Sequence, residues 1–357
     1  MKTGEQIKKL KPMPESKPCP CCQSDLTIKH GKRKIKRTIV QVYKCMSCGK
    51  FFSDRKLKHK SYDAKTILRA ITQYNKGFTL EQASKEMSKR FHQQIPLSTL
   101  RSWIKEYSSI CTFRKLRDKA IKLYPDRDMI FSHSLQHNLV YEFQLHKAKL
   151  ELQAKELPEQ KFSLLKKYLE EVSTQSFPHH IFQPKQDAEE LSRSSQMKFH
   201  TLDFVKSEKQ SLASELASLG LHLAGTNKER HEAVQNFMIA NDSATVSCEV
   251  PVYLTNDDIS YFKGKGFLVD FENCKTPITG HIDILQIRNG SIHILDYKPG
   301  ARKVNAASQL TMYALALASR TKLAVKDFRC AWYDDRNYYE FFPLHAVYKL
   351  RKAEKLP

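Results

Sequence analysis

Three charged residues interrupt an otherwise apolar stretch at positions 280–300, "GHIDILQIRNGSIHILDYKPG": Asp283, Asp296 and Lys298. Two runs with strand-like alternation flank Asn289 and Gly290, a dipeptide that signals a tight hairpin turn. In an antiparallel hairpin the end of the second strand lies opposite the start of the first, so the three charges converge. The period of two puts Asp296 and Lys298 on one face. Two carboxylates so placed can hold Mg²⁺ or Mn²⁺ through oxygen, and an ammonium beside them can orient or activate water. Phosphodiester hydrolysis needs those parts: a metal to stabilise charge on the phosphate, and a positioned water as nucleophile. Taken alone, the same three residues would equally suit an ion pair at a sheet edge.

The elements around the hairpin shift that balance. Upstream, "CEVPVYL" places Glu249 on a strand, and "NKERHEAVQNFM" places His231 on a helix before it. Downstream, "NAASQLTMYALALAS" is a helix with Gln309 and Tyr313 at i and i+4, hence on one face. Taken in order, these motifs resemble the RecB-like branch of the PD-(D/E)XK nucleases, including the CRISPR-associated exonucleases of that branch, over about residues 225–345. The resemblance implies a mixed α/β, restriction-endonuclease-like domain, which we place at residues 206–350. It further implies that Asp283 and Asp296 bind the divalent metal with help from His231, with Glu249 as a further candidate. Lys298 would position the attacking water, and Gln309 and Tyr313 would orient the lysine or the nucleic-acid strand. Some members of the branch carry an iron–sulfur cluster held by one early and three late cysteines. Only Cys330 follows the core here, so no iron–sulfur cluster is expected.

A second constellation lies near the N-terminus. Cys19-x-x-Cys22 and Cys45-x-x-Cys48 are two short knuckles separated by 22 residues, each able to point two thiolates at one tetrahedral Zn²⁺. A structural zinc would replace a core too small to hold itself. The segment between them alternates and contains a glycine, as a hairpin would, so residues 16–56 read as a zinc ribbon. Cys21 breaks the two-residue spacing and is left unliganded, and no βαβ context supports a redox role for either pair. The remaining cysteines, Cys111, Cys248, Cys274 and Cys330, have no pairing rhythm; an odd total of nine without a secretory signal points to a reducing compartment.

Residues 61–110 carry three helical patterns broken at Gly77 and at "QQIP". Ile67, Leu68 and Ile71 can face Leu80, Ala83 and Met87, which can face Leu100, Trp103 and Ile104. Thr79 with Gln82 can cap the second helix and Ser98 the third. A helix-turn-helix of this kind would offer Ser98, Thr99, Arg101, Ser102 and Lys105 to a major groove. "YKCMSCGKFFS" with "TLEQASKEM…STLRSWIKEY" resembles the zinc-ribbon and helix-turn-helix head of insertion-sequence transposases, which implies recognition of a DNA site. The rest of the chain does not read as the RNase H-like domain that transposase chemistry needs.

Charge agrees with that assignment. Of the net +22, residues 1–120 hold 29 Lys/Arg against 9 Asp/Glu, whereas residues 121–357 are close to neutral. A concentrated basic region releases counterions from phosphates. No apolar run approaches the roughly 18 residues of a membrane helix, so no membrane partner is expected. The fold class is multidomain α+β: a basic flexible tail (1–15), the zinc ribbon, the helix-turn-helix, a helical connecting region (111–205) and the nuclease-like domain. In the connecting region "HNLVYEFQLHKAKLELQ" and "QKFSLLKKYLEEV" read as amphipathic helices, and "FPHHIFQPKQ" and "SRSSQ" as loops. These helices are candidates for a spacer, a homodimer interface or a cap over the site. His133, His137, His146, His179, His180 and His200 lack ligand spacing and read as solvated or core histidines. Asp257 and Asp258 read as a turn.

The expected activity is metal-dependent hydrolysis of DNA, with the head directing the chain to duplex DNA, in mobile-element, defence or repair biology of a prokaryotic, nucleoid-associated cytoplasmic protein. The alternative is a non-catalytic DNA-binding regulator that keeps the nuclease fold as scaffold; the presence of every expected active-site residue type argues against it. RNA as the partner of the basic head stays open.

Overall fold

A computed structural model describes residues 19, 22, 24–35, 38–53, 62–92, 94–125, 128–183, 192–194, 199, 201–204, 206–269, 271 and 277–349. The tail 1–15, Cys21, Cys274 and His200 lie outside the described residues. The chain divides into two compact units, residues 1–67 and 68–357. In the first, strands β1 (Thr27–Ile35), β2 (Thr38–Cys45) and β3 (Phe51–Ser53) form an antiparallel sheet in that order, with a bulge between Lys29 and Lys32. The hairpin between the cysteine knuckles is therefore present.

Helix α1 (Ala64–Asn75) crosses the boundary between the units. In the second unit, α2 (Leu80–Phe91) starts at a capping box in which Thr79 and Gln82 satisfy each other's backbone N–H, as their spacing predicts. α3 (Leu97–Glu106) begins two residues earlier than expected. Pro96 occupies the cap position, so Ser98 falls inside the first turn and cannot cap it. Leu100, Trp103 and Ile104 are buried along α3 and Met87 and Ala83 along α2, so the two helices share an apolar seam.

After α4 (Arg117–Leu123) come β4 (Ile130–His137), β5 (Leu139–His146), α5 (Lys147–Leu152), α6 (Glu159–Glu171), β6 (Ser192–Arg193), β7 (Ser207–Glu208), α7 (Leu212–Gly220), α8 (Arg230–Asn241), β8 (Thr245–Leu254) and α9 (Asn256–Gly264). β9 (Ile278–Arg288), β10 (Ser291–Tyr297), α10 (Ala307–Thr321), β11 (Phe328–Tyr333), β12 (Tyr338–Phe341) and α11 (Pro343–Val347) complete the unit. A mixed sheet runs β4-β5-β8-β9-β10-β11-β12-β7, with β6 added to β9. β10 with β11 and β6 with β9 are parallel; the other pairs are antiparallel. α10 is apolar almost all round and packs on β8, β10 and β11 as well as on α6 and α11, the pattern of a helix enclosed on every side.

Residues 137–146, expected as part of an amphipathic helix, form the β4–β5 hairpin instead, and only Lys147–Leu152 of that stretch is helical. Leu139, Val140 and Phe143 have helical spacing, but Gln144 and Leu145 pair with Cys248 and Ser247 of β8, and a distant partner strand overrides a local pattern. Asp257 and Asp258 also differ from expectation. They open α9, where Asp258 forms a capping box with Thr255 and an ion pair with Arg320. Among the described residues no helix is long and apolar enough to cross a membrane.

Candidate active site

The Asn289-Gly290 turn has left-handed backbone at both positions (φ 52° and 67°), the geometry of a two-residue hairpin turn. It fixes the register of β9 and β10, whose last pair is Leu295 with Ile284. One step further Asp296 comes opposite Asp283, and the Tyr297 N–H donates to Asp283 Oδ2 at 3.2 Å. β10 pairing ends there, and β6 takes up the same strand only at Ile278 and Thr279. The edge of β9 between them opens at Asp283, which gives its carboxylate access from outside the sheet.

Lys298 Nζ lies 2.8 Å from Asp296 Oδ2 but not along a hydrogen-bond direction. Both oxygens of Asp296, at 1% exposure, are consequently left without a hydrogen-bond partner. Such a group costs about 1–3 kcal/mol, and a buried carboxylate left this way is a ready ligand. Burial and the charge of Asp283 push Asp296 well above the usual carboxylate range, against the pull of Lys298. Burial also works against ionisation of Asp283, but His231, the adjoining carboxyl of Asp296 and the charge of Lys298 outweigh it and its carboxyl sits below the ordinary value. His231 Nδ1, near the N-terminal end of α8, is 3.4 Å from Asp283 Oδ2.

Glu249 interrupts β8 between the pairs Cys248–Ile284 and Val250–Ile282, in register with Asp283. Its backbone is left-handed (φ 52°), a conformation that costs a non-glycine residue about 1–2 kcal/mol. Gln235, one turn after His231 on α8, donates to Glu249 Oε1 at 2.6 Å. Burial first, then Asp283, raises Glu249 to about 8. α8 thus presents His231 to one acid and Gln235 to another. The oxygen donors of Asp283 and Asp296 suit a hard divalent ion, whereas among the described residues only the four cysteines form a group of three or more within ligand distance, so Glu249 and His231 flank the acidic pair without closing a cage around it.

Gln309 Nε2 donates to the Tyr313 hydroxyl at 2.8 Å, so the pair shares one face of α10 as the spacing predicts. Tyr313 crosses the backbone of Gly280, where a Cβ would collide with its ring and with Ser194 Oγ. Lys298 itself is paired with Asp296, with no bond to Gln309 or Tyr313 among the described residues.

Several neighbours of the site were not foreseen. His281 shares the face of Asp283 by the period of two, a signal present in the sequence. His137 bridges two imidazoles: its Nδ1 is 2.9 Å from His281 Nε2, and its Nε2 is 2.9 Å from His179 Nδ1. His179 Nε2 faces the Thr174 carbonyl at 3.2 Å, which can only accept, so each Nε2 in the chain donates to the next residue. Burial keeps His137 (about 4) and His281 uncharged. Their nitrogens are spent on one another, which agrees with reading His137 as a core histidine. His146 is buried and accepts the Lys149 N–H; His180 is exposed and His133 partly so.

Elsewhere, the sulfurs of Cys19, Cys22, Cys45 and Cys48 all lie within 4.8 Å of one another. Cys19 and Cys48 are 3.6 Å apart and Cys22 and Cys45 3.5 Å. A tetrahedral site with Zn–S of about 2.3 Å needs sulfurs about 3.8 Å apart, so the set fits zinc and is compatible with a zinc ribbon. The Cys48 N–H helps to lower Cys45 to about 6, whereas burial and the neighbouring thiols raise Cys48, a mutual repulsion of thiolates that a bound cation would relieve. On α3, Ser98, Arg101, Ser102 and Lys105 are exposed and Thr99 is half-buried, so the five residues expected to meet DNA lie opposite the buried seam.

Comparison with curated proteins and with solved structures gives no match. The family model described as the PD-(D/E)XK nuclease superfamily matches residues 134–343, from within β4 to the start of α11 and across every acid discussed above. With more than half its length under that match, and with Asp283, Asp296 and Lys298 gathered at one opening of the sheet, the chain belongs to the PD-(D/E)XK nuclease superfamily.

Proposed function

We propose that the chain is a Mg²⁺- or Mn²⁺-dependent deoxyribonuclease of the RecB-like branch, carried to duplex DNA by a zinc ribbon and a helix-turn-helix. The observation that carries this reading is the Asp296 carboxylate, buried, without a hydrogen-bond partner, and set between Asp283 and the Lys298 ammonium. Such an arrangement is costly for a scaffold and useful for holding a cation. Asp283 and Asp296 hold the metal, with His231 and Glu249 beside them, and Lys298 positions the water. Gln309 and Tyr313 act on the strand rather than on the lysine, whose partner is Asp296. The order His231, Glu249, Asp283, Asp296-x-Lys298, Gln309-x-x-x-Tyr313 supports the branch. The basic head and the exposed face of α3 support DNA as the target.

Purified chain with Mg²⁺ or Mn²⁺ is expected to cut DNA, and Lys298→Ala to stop cutting while DNA binding persists. Covalently closed circles beside linear DNA distinguish an endonuclease from an exonuclease. Binding without cutting under every divalent metal would refute the enzyme and leave a DNA-binding regulator.

A further inference from the structure

We infer that a cavity beside the acids receives one nucleotide of the scissile strand, unstacked from its neighbours, with its base on Tyr141. This rests on the nuclease reading and adds to it a subsite and a preference for DNA unpaired next to the cut.

The cavity measures about 190 Å³ and differs in character along its walls. Asp283 and Glu249 form an acidic wall, Arg193 supplies a cation, and Tyr141, His281 and Phe182 supply aromatic surface. Drug-sized sites span roughly 300–1,000 Å³, so this space suits a single planar ring system better than a stacked pair. Arg193 makes no ion pair among the described residues, which leaves a cation for a phosphate near the acids that would hold the metal. Acid, cation and aromatic surface in one cavity match the metal-bound phosphate, the flanking phosphate and the base of a nucleotide.

The aromatic wall is built to stay in place. Tyr141 stacks on His281 with ring centres 3.7 Å apart and planes at 11°, and Phe182 stacks on His137 at 4.2 Å and 12°. His281 and His137 are joined by their own hydrogen bond, and His137 is joined to His179. His281 covers one face of Tyr141, so the part of the ring that lines the cavity is available to a second stacking partner. Each stacked ring is thus preorganised, which lowers the cost of ordering on binding.

The mouth of the cavity carries its own signal. Asn138, in left-handed backbone (φ 63°), turns β4 into β5 and lines the cavity. The next two residues, Leu139 and Val140, are 56% and 66% exposed. Leu139 shares the face of Tyr141 by the period of two, so its exposed side chain is suited to wedge against the neighbouring base once one base has left the stack, while Val140 points to the opposite face.

The test uses the full zinc-loaded chain with no chelator and no added Mg²⁺ or Mn²⁺, where binding is observed without cutting, and forked DNA with 2-aminopurine at each position of the unpaired arm in turn. Quenching is expected at one position, lost in Tyr141→Ala and kept in Tyr141→Phe. Tyr141→Ala is expected to weaken fork binding about tenfold, the effect of one stacked base, while affinity for fully paired duplex stays unchanged. Leu139→Ser, at an exposed position, is expected to reduce the preference for fork over duplex, and Val140→Ser on the opposite face to leave it unchanged. Cut sites are mapped separately with Mn²⁺. No position of quenching, or equal loss of fork and duplex affinity in Tyr141→Ala, overturns the subsite even if the chain cuts DNA. Quenching without cutting keeps the subsite as a nucleotide site and refutes the nuclease instead.

Discussion

Asp296→Asn should make the metal-free protein more stable while it abolishes cutting. The Asp296 carboxylate is 1% exposed, lacks a hydrogen-bond partner at either oxygen, and faces the ionised Asp283. An asparagine of the same shape stays uncharged and can donate its amide to the Asp283 carboxylate at any pH, whereas Asp296 can do so only while it holds its proton. Relief of one buried unsatisfied group is worth about 1–3 kcal/mol, or a rise in Tm of about 2–12 °C at 2–4 °C per kcal/mol for a domain of this size. Lys298 loses its ion pair, but its side chain is 26% exposed and can turn to water, so that loss is small. The sign with pH follows from the raised folded value. Above about pH 4 the native state holds a proton that the unfolded chain has released, so metal-free wild type loses stability as pH rises towards the folded value. The asparagine variant lacks that slope, and its advantage grows with pH. Mn²⁺ at a hundred times its Kd returns about 2.7 kcal/mol to wild type and little to the variant. Both tryptophans, Trp103 and Trp332, lie in the 68–357 unit, so intrinsic fluorescence follows the unfolding of that unit alone. An asparagine variant that melts below wild type in EDTA at about pH 8 would refute the reasoning, because Asp296 would then stabilise the fold without a metal.

Lys149 is fully buried, donates to the Ile239 and Thr245 carbonyls at 2.6 and 3.1 Å, and is pushed down to about 7 by burial. Between about pH 7 and pH 10 the unfolded chain binds the extra proton, so stability should rise by up to about 1.4 kcal/mol per pH unit; urea midpoints should lose that slope in Lys149→Met. Cys45→Ser should lose bound zinc, read by released metal, together with amide protection in β1–β3. Arg101→Ala with Lys105→Ala should weaken duplex binding similarly for all sequences and reduce the logarithmic salt slope by about 2, measured by anisotropy across salt.

Much of the site is legible in the chain because local rules set it. The Asn289-Gly290 turn fixes the register that opposes Asp283 and Asp296, and helical spacing joins Gln309 to Tyr313. The two cysteine knuckles and the Thr79–Gln82 capping box are likewise short-range. What sequence hides is non-local. β5 competes as a helix until β8 pairs with it, and once β4 and β5 are read as helix His137 has no route to His281, 144 residues away. β6 is two residues long, too short for any periodicity, yet it carries Arg193 to the cavity. The left-handed backbone of Glu249 sits inside a run that reads as ordinary strand, and no glycine marks it.

α8 has a second set of contacts. Its last residue, Asn241, accepts from Asn75 Nδ2 at 2.8 Å and donates to Thr72 Oγ1 at 2.9 Å, both on α1. Arg117, 5% exposed, donates to the carbonyls of Tyr74 in the last turn of α1 and of Gly77 and Phe78 just beyond. At the other end of the same helix stands His231, about 15 Å away at 1.5 Å per residue. A twelve-residue helix, rather than a linker, therefore spans from the helical head to the acids. A molecule bound on those helices would be held at a set offset from the opening in the sheet, as on a ruler, and lengthening a surface loop would leave the offset unchanged.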